Sequence, residues 1–228
     1  MSSYCLIHGS GQGPDGWRLL VRELERRNHS VLTPAFEVNR TDQGLVWHAE
    51  TIVNALDRSG LNAVDVICVA HSASGMYLPL IAERWPPRRM VFLAAVVPRP
   101  GMSIRQQFKA DPTMFNPAWV KQNPAEDKVA LEFVYHDCPL DRLDWVLSTR
   151  LVFYNKKALE EPSPLHAWPQ VPSSYIMCKD DRTITPEWQR KAARELLGVA
   201  PIELPGGHCP HVSRPEALAD VLERLNNS

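Results

Sequence analysis

The chain has 228 residues, 44% of them hydrophobic and 22% charged, which suits one domain with a complete core. Lys plus Arg number 25 against 26 for Asp plus Glu, a net charge of −1, so no overall field draws the chain to nucleic acid or an anionic membrane. No apolar run approaches the roughly 20 residues that span a bilayer, and the expected partner is a small molecule.

The first nine residues carry no basic n-region and no long apolar h-region, so no secretory signal is read and a cytoplasmic location is expected. Residues 4–8 are a short apolar run ended by Gly9, with glycines at 11, 13 and 16, which predicts a buried strand and then a loop. Trp17, Leu20, Val21 and Leu24 recur at helical spacing over 17–27, and 30–33 reads as a second strand stopped by Pro34. Apolar residues at 45, 46, 49, 52, 53 and 56 predict an amphipathic helix over 44–58, closed near Gly60. Residues 64–70 form a continuous apolar strand of the kind buried on both faces. A helix is expected over 73–84, and strands over 90–97 and 173–178. Thr185 as N-cap, Pro186 in the first turn and Gly198 past the end frame a helix over 186–197. A short strand at 200–204 and a helix at 215–225 close the chain.

Strand and helix therefore alternate, which predicts a mainly parallel sheet of about six strands with helices on both faces. The stretch 100–170 breaks the alternation: it is rich in Pro, Trp and other aromatics, with helical fragments at 125–135 and 140–151. It is expected to form a helical cap inserted into a core made of 1–99 and 171–228, since its apolar content is too high for a solvated loop. Its aromatics, Phe108, Phe115, Trp119, Phe133, Tyr135, Trp145, Phe153 and Tyr154, are expected to be mostly cap core. The five cysteines are odd in number and form no Cys-x-x-Cys, which argues against a disulfide framework or a zinc ribbon. Cys5, Cys68 and Cys178 lie in strand-like runs and read as buried thiols.

The strand ending at Ala70 runs into His71-Ser72-Ala73-Ser74-Gly75 and then a helix. That is the setting of a nucleophile elbow, where a serine at the tip of a strained turn needs small residues two before and two after it. Ala70 and Ser74 meet that demand without the literal glycines. Ser74 is a rival nucleophile, but it would put Met76 in the second small position. A serine hydroxyl needs a base, and in this order of elements the acid precedes the histidine. The last strand leads into Gly206-Gly207-His208, which makes His208 the base, with two glycines for a flexible, compact turn. His211 competes. A His-x-x-His pair could suggest a metal, but no third ligand type stands nearby in the sequence, so His211 is read as packing on the next helix. After the strand 173–178 come Asp180 and Asp181. Asp181, deeper in the turn, is chosen as the acid that orients the base, and Asp180 as its solvated neighbour. Backbone N–H groups for a carbonyl oxyanion are expected from Ala73 and from the loop His8-Gly9-Ser10-Gly11. That loop could instead cradle a dinucleotide, but no acidic residue ends the second strand, so no cofactor is expected.

These segments, with Cys178-Lys179-Asp180-Asp181, together resemble the α/β-hydrolase superfamily. More narrowly they are similar to the group of plant hydroxynitrile lyases and methyl-ester esterases with their small bacterial relatives, and 181–189 is similar to that group's acid loop and following helix. The lyases carry a lysine after the base histidine and a threonine after the first-strand histidine, where this chain has Cys209 and Gly9. The resemblance therefore implies an esterase: Ser72, His208 and Asp181 as triad, and the amides of Ser10 and Ala73 as oxyanion hole. It implies a small or medium ester as substrate and no metal or organic cofactor, the chain acting alone or as a homodimer.

Overall fold

The computed structural model describes residues 2–35, 42–151 and 156–226. Six strands, β1 (Ser3–Ile7), β2 (Ser30–Leu32), β3 (Val66–His71), β4 (Arg89–Leu93), β5 (Ser173–Cys178) and β6 (Ile202–Leu204), form one sheet in the order β2-β1-β3-β4-β5-β6. Every pairing is parallel.

Alternation along the strands builds a core on each face. Cys5, Ile7, Cys68, Ala70 and Phe92 point to one side, where α2 (Leu45–Ser59), α3 (Leu78–Arg84) and α9 (Pro186–Leu196) pack. Tyr4, Leu6, Ile67, Val69 and Val91 point to the other, against α1 (Arg18–Arg26) and α11 (Pro215–Asn226). All six residues of β3 are buried, as a central strand covered on both faces must be. Each fully buried aliphatic side chain contributes about 1.5–3 kcal/mol by leaving water.

Two strand boundaries differ from the sequence reading for physical reasons. Val64 is 64% exposed and sits in a 3-10 turn, Ala63–Asp65, so β3 starts only at Val66. β4 stops at Leu93 because Ala94 adopts a left-handed φ of 43°, and the still-buried chain beyond it donates Val96 N–H to the Ser72 carbonyl (3.0 Å). The strand signal over 90–97 holds through Leu93, and beyond it the signal was burial without a strand.

Between β4 and β5 lie α4 (Ile104–Ala110), α5 (Pro117–Val120), α6 (Asp127–Val129), α7 (Leu140–Ser148) and α8 (Lys156–Glu160). Ser103 and Gln106 form a reciprocal capping box that starts α4. The expected helix over 125–135 is a short α6 continued by a π-helical turn, Ala130–Val134. Phe153 and Tyr154 lie outside the described residues. After β6, the short α10 (Pro210–Ser213) precedes α11.

Candidate active site

β3, β5 and β6 end at the same edge of the sheet, and the turns after them bring three distant side chains together. Ser72 follows β3 with a φ of 59°, the strained left-handed conformation that puts a side chain at the tip of a turn. His208 Nε2 lies 3.0 Å from Ser72 Oγ, and His208 Nδ1 lies 2.8 Å from Asp181 Oδ2. The carboxylate accepts Nδ1–H and leaves Nε2 facing the hydroxyl as an acceptor.

Asp181 is 6% exposed and saturated with donors. Its Oδ1 accepts Thr183 N–H (2.8 Å), Thr183 Oγ1–H (2.9 Å) and Ile184 N–H (3.2 Å), while Oδ2 also accepts Gln189 Nε2–H (2.8 Å). Gln189 is fixed in turn by Cys178 N–H, donated to its Oε1 (3.1 Å). Asp180 is exposed, as expected, but not idle: its Oδ2 accepts Gly206 N–H (2.9 Å) and so ties the acid turn to the base loop.

Ser74, the rival nucleophile, is buried, and its hydroxyl donates a short hydrogen bond to the His8 carbonyl. The close approach at the elbow falls one residue beyond the position the sequence reading marked. A Cβ on Gly75 would lie 2.1 Å from Val96 O and 3.0 Å from Ala95 Cβ. Gly75→Ala is therefore expected to cost about 3 kcal/mol through overpacking, read as a lowered urea midpoint; an unchanged midpoint would show that the turn has room to relax.

Gly206 and Gly207 were expected to give flexibility, and their neighbours give a different reason. A Cβ at Gly206 would meet Arg214 and Asp137, and one at Gly207 would meet His136 and Asp137, at 2.5–2.7 Å. These glycines make room for the segment after the π-helical turn, which grips the loops that carry Asp181 and His208. Asp137 Oδ2 accepts Gly207 N–H (2.8 Å), and His136 Nε2–H is donated to the Asp180 carbonyl (2.9 Å).

Behind His208 sits a buried polar cluster with no counterpart in the sequence reading. His71 Nε2 faces the His208 carbonyl (2.8 Å), and its Nδ1 faces the Gln12 carboxamide (2.9 Å). Burial, then the charges of His208 and His211, push the His71 pKa well down, so the ring is neutral with one N–H to give. That single N–H faces two acceptors, the His208 carbonyl and the Gln12 carboxamide oxygen, which also accepts Gly9 N–H (3.3 Å). Gln12 also reaches Tyr135 Oη (3.4 Å) and Cys209 Sγ (3.1 Å).

The expectation that nothing else metal-ligating gathers beside the His-x-x-His pair is corrected here. His71, Cys209 and His211 bring ligand atoms within 4.8 Å of one another. They fit a metal poorly: both His71 nitrogens are engaged, and burial holds the Cys209 thiol well above its usual pKa. His211 instead packs against Trp17, ring centroids 4.3 Å apart.

The buried histidines give a pH prediction. Burial lowers His8 to about 4 and His211 to about 3. The unfolded chain takes up those protons near pH 6.5 and so binds more protons than the native state below that pH. Stability is complete above about pH 6.5 and falls below it, by up to about 1.4 kcal/mol per pH unit for each histidine, until the native state also takes up the proton, near pH 4 for His8 and near pH 3 for His211. Thermal unfolding between pH 7 and 4.5 should show this. His211→Phe, which keeps an aromatic ring against Trp17, should flatten the slope; an equal slope in both proteins would remove His211 from the account.

The Ser72–His208 pair opens on a cavity of about 790 Å³. Ser10 and Ala73, the residues expected to supply oxyanion amides, are in its wall. Gly9 backs the serine so closely that a Cβ there would lie 2.9 Å from Ser72 Cβ and 3.0 Å from His71 Nδ1. The aromatics expected to be cap core divide: Phe108, Phe115, Trp119 and Tyr135 line the cavity, whereas Phe133 packs beneath Trp119, ring centroids 5.9 Å apart. Trp145 carries the Arg18 guanidinium 4.5 Å above its ring. The apolar signal in the sequence marks burial and does not separate packing against protein from facing a cavity.

The family model described as "Alpha/beta hydrolase family" matches residues 6–221. The chain belongs to the alpha/beta hydrolase family. This α/β hydrolase is 27% identical over 202 residues to a probable hydrolase of Phoma sp., covering 78% of this chain and 76% of that one. It is 25% identical over 246 residues to methylesterase 7 of Arabidopsis thaliana, covering 96% and 94%. A pyrethroid hydrolase from Sphingobium faniae JZ-2 shares the fold at TM-score 0.80 and 19% identity, covering 100% of this chain and 98% of that one. The chain is thus an esterase-like α/β hydrolase by kinship, and its fold is that of the family.

Proposed function

We propose that the chain is a serine esterase that cleaves small or medium carboxylic esters through an acyl-enzyme. The observation that carries this reading is the relay of 3.0 Å and 2.8 Å from Ser72 through His208 to Asp181 at the mouth of a mainly apolar cavity. His208 Nε2 takes the Ser72 proton as Oγ attacks the ester carbonyl. The amides of Ser10 and Ala73 hold the oxyanion. The C–O bond to the alcohol breaks, and His208 returns the proton to the leaving oxygen. Water, activated by the same imidazole, then releases the acid. This sequence calls on no metal or organic cofactor.

A lyase that expels cyanide needs a cation beside the base. Position 209 offers a buried thiol instead, and position 9 has no room for the lyases' threonine. Kinship with methylesterases makes methyl esters the first natural class to try. The direct test is a fluorophosphonate probe followed by peptide mapping, beside a p-nitrophenyl butyrate assay. Turnover with the label on Ser72 is the expected result. Label elsewhere would reassign the nucleophile, and binding of esters without turnover would favour a receptor role.

A further inference from the structure

The cavity wall carries charge of one sign only: among the described residues it includes Arg105 and Arg150 and no Asp or Glu. Arg105 is exposed and paired with Glu160 (2.5 Å), as a residue at the rim would be. Arg150 is different. Its side chain is only 6% exposed, yet it lines the cavity. Asp127 Oδ1 accepts from its Nη1 (2.6 Å), and the Pro124 carbonyl accepts from its Nη2 (2.6 Å). These contacts fix the plane of the guanidinium and use two of its five N–H groups; the others have no partner among the described residues.

The position of Arg150 ties it to the reacting centre. The next residue donates Leu151 N–H to the Gly11 carbonyl (3.1 Å), so the arginine is anchored to the loop that carries Ser10. Tyr135, whose hydroxyl accepts from Gln12 Nε2 (3.4 Å), lines the same cavity. A guanidinium held rigid and largely shielded from solvent, with one carboxylate on a single nitrogen, keeps N–H groups that a second planar carboxylate matches. Asp127 already offsets part of the charge, so a single negative charge suits the site better than a phosphate dianion.

We propose that the substrate is an ester bearing a separate carboxylate, which Arg150 receives while the ester carbonyl sits at Ser72. This inference rests on the esterase reading above. Hydrolysis adds water across the acyl C–O bond: the alcohol leaves with a proton, and the acyl carbon gains the oxygen of its new carboxyl group.

The test uses two substrate pairs. Monomethyl glutarate carries the carboxylate on the acyl side and 3-acetoxypropanoate on the alcohol side; each is run beside its neutral carboxamide analogue. The wild-type protein should favour the acid in at least one pair by roughly ten-fold or more in kcat/KM, carried mainly by KM. Arg150→Met should collapse that ratio and Arg150→Lys should restore part of it, whereas a merely structural role would move acid and amide together. Equal rates for acid and amide in both pairs would overturn the proposal, and that comparison needs no variant to fold. If no ester is turned over, the esterase reading has failed. Calorimetry then decides the anion site alone: glutarate binding more tightly than glutaramide supports it, and equal or absent binding refutes it.

Discussion

Ser72→Ala is expected to remove ester hydrolysis by roughly 10⁴–10⁶-fold, the scale on which serine hydrolases lose turnover with their nucleophile. The variant should keep its fold. Among the described residues Ser72 Oγ makes one hydrogen bond, to His208, while the links that hold the turn run through the backbone, where the Ser72 carbonyl accepts Val96 N–H. The positive φ of 59° is tolerated by alanine about as well as by serine, so a circular dichroism spectrum and melting temperature close to wild type should accompany the loss. Residual turnover above a hundredth of wild type would point away from Ser72. Ser74 would be a poor heir, since its hydroxyl is committed to the His8 carbonyl.

The second large effect is expected from Asp181→Asn, and its sign follows from donor counting. Asp181 accepts from Thr183 N, Thr183 Oγ1 and Ile184 N on Oδ1, and from Gln189 Nε2 and the His208 ring on Oδ2. Asparagine must keep its carbonyl oxygen on the Oδ1 side, where two backbone N–H groups would otherwise be buried unpaired. Its NH₂ then faces His208 Nδ1, and the ring responds by moving its proton to Nε2. That tautomer cannot take the Ser72 proton, so kcat should fall by about 10⁴ with KM little changed. The same NH₂ opposes the Gln189 amide, so a stability loss of about 1–3 kcal/mol should accompany it. A kcat within ten-fold of wild type would mean that Asp181 is structural, and Asp180 would become the acid to test.

The fold and these three residues were legible for one reason. A parallel sheet buried on both faces writes continuous apolar runs, and loops that follow such runs collect at one edge, so reading the strands in order also reads where the loops converge. Ser72, Asp181 and His208 each stand just past a run. Residues that act across the chain left no such trace. Gln12 is one polar residue in a glycine-rich loop, yet it meets His71, Tyr135 and Cys209, which are 59, 123 and 197 positions away. Arg150 looks like an ordinary basic residue near a helix end. The 100–170 stretch was least legible. Prolines and short helices give no sustained period, and a hydrophobic residue contributes the same signal whether it meets other side chains or an open cavity.

The grip of His136 and Asp137 on the glycines before His208 has a consequence for engineering. A chimaera that imports a relative's 100–170 stretch imports whatever replaces Asp137 while keeping the loop that Asp137 holds, and Gly207 N–H would then be left without its acceptor. If His208 is the base, as proposed, the inserted helices and the placement of that base are not separable modules in this chain. A transplant should succeed only when the 204–209 loop travels with the inserted helices, and libraries built to change specificity should vary the two stretches as one.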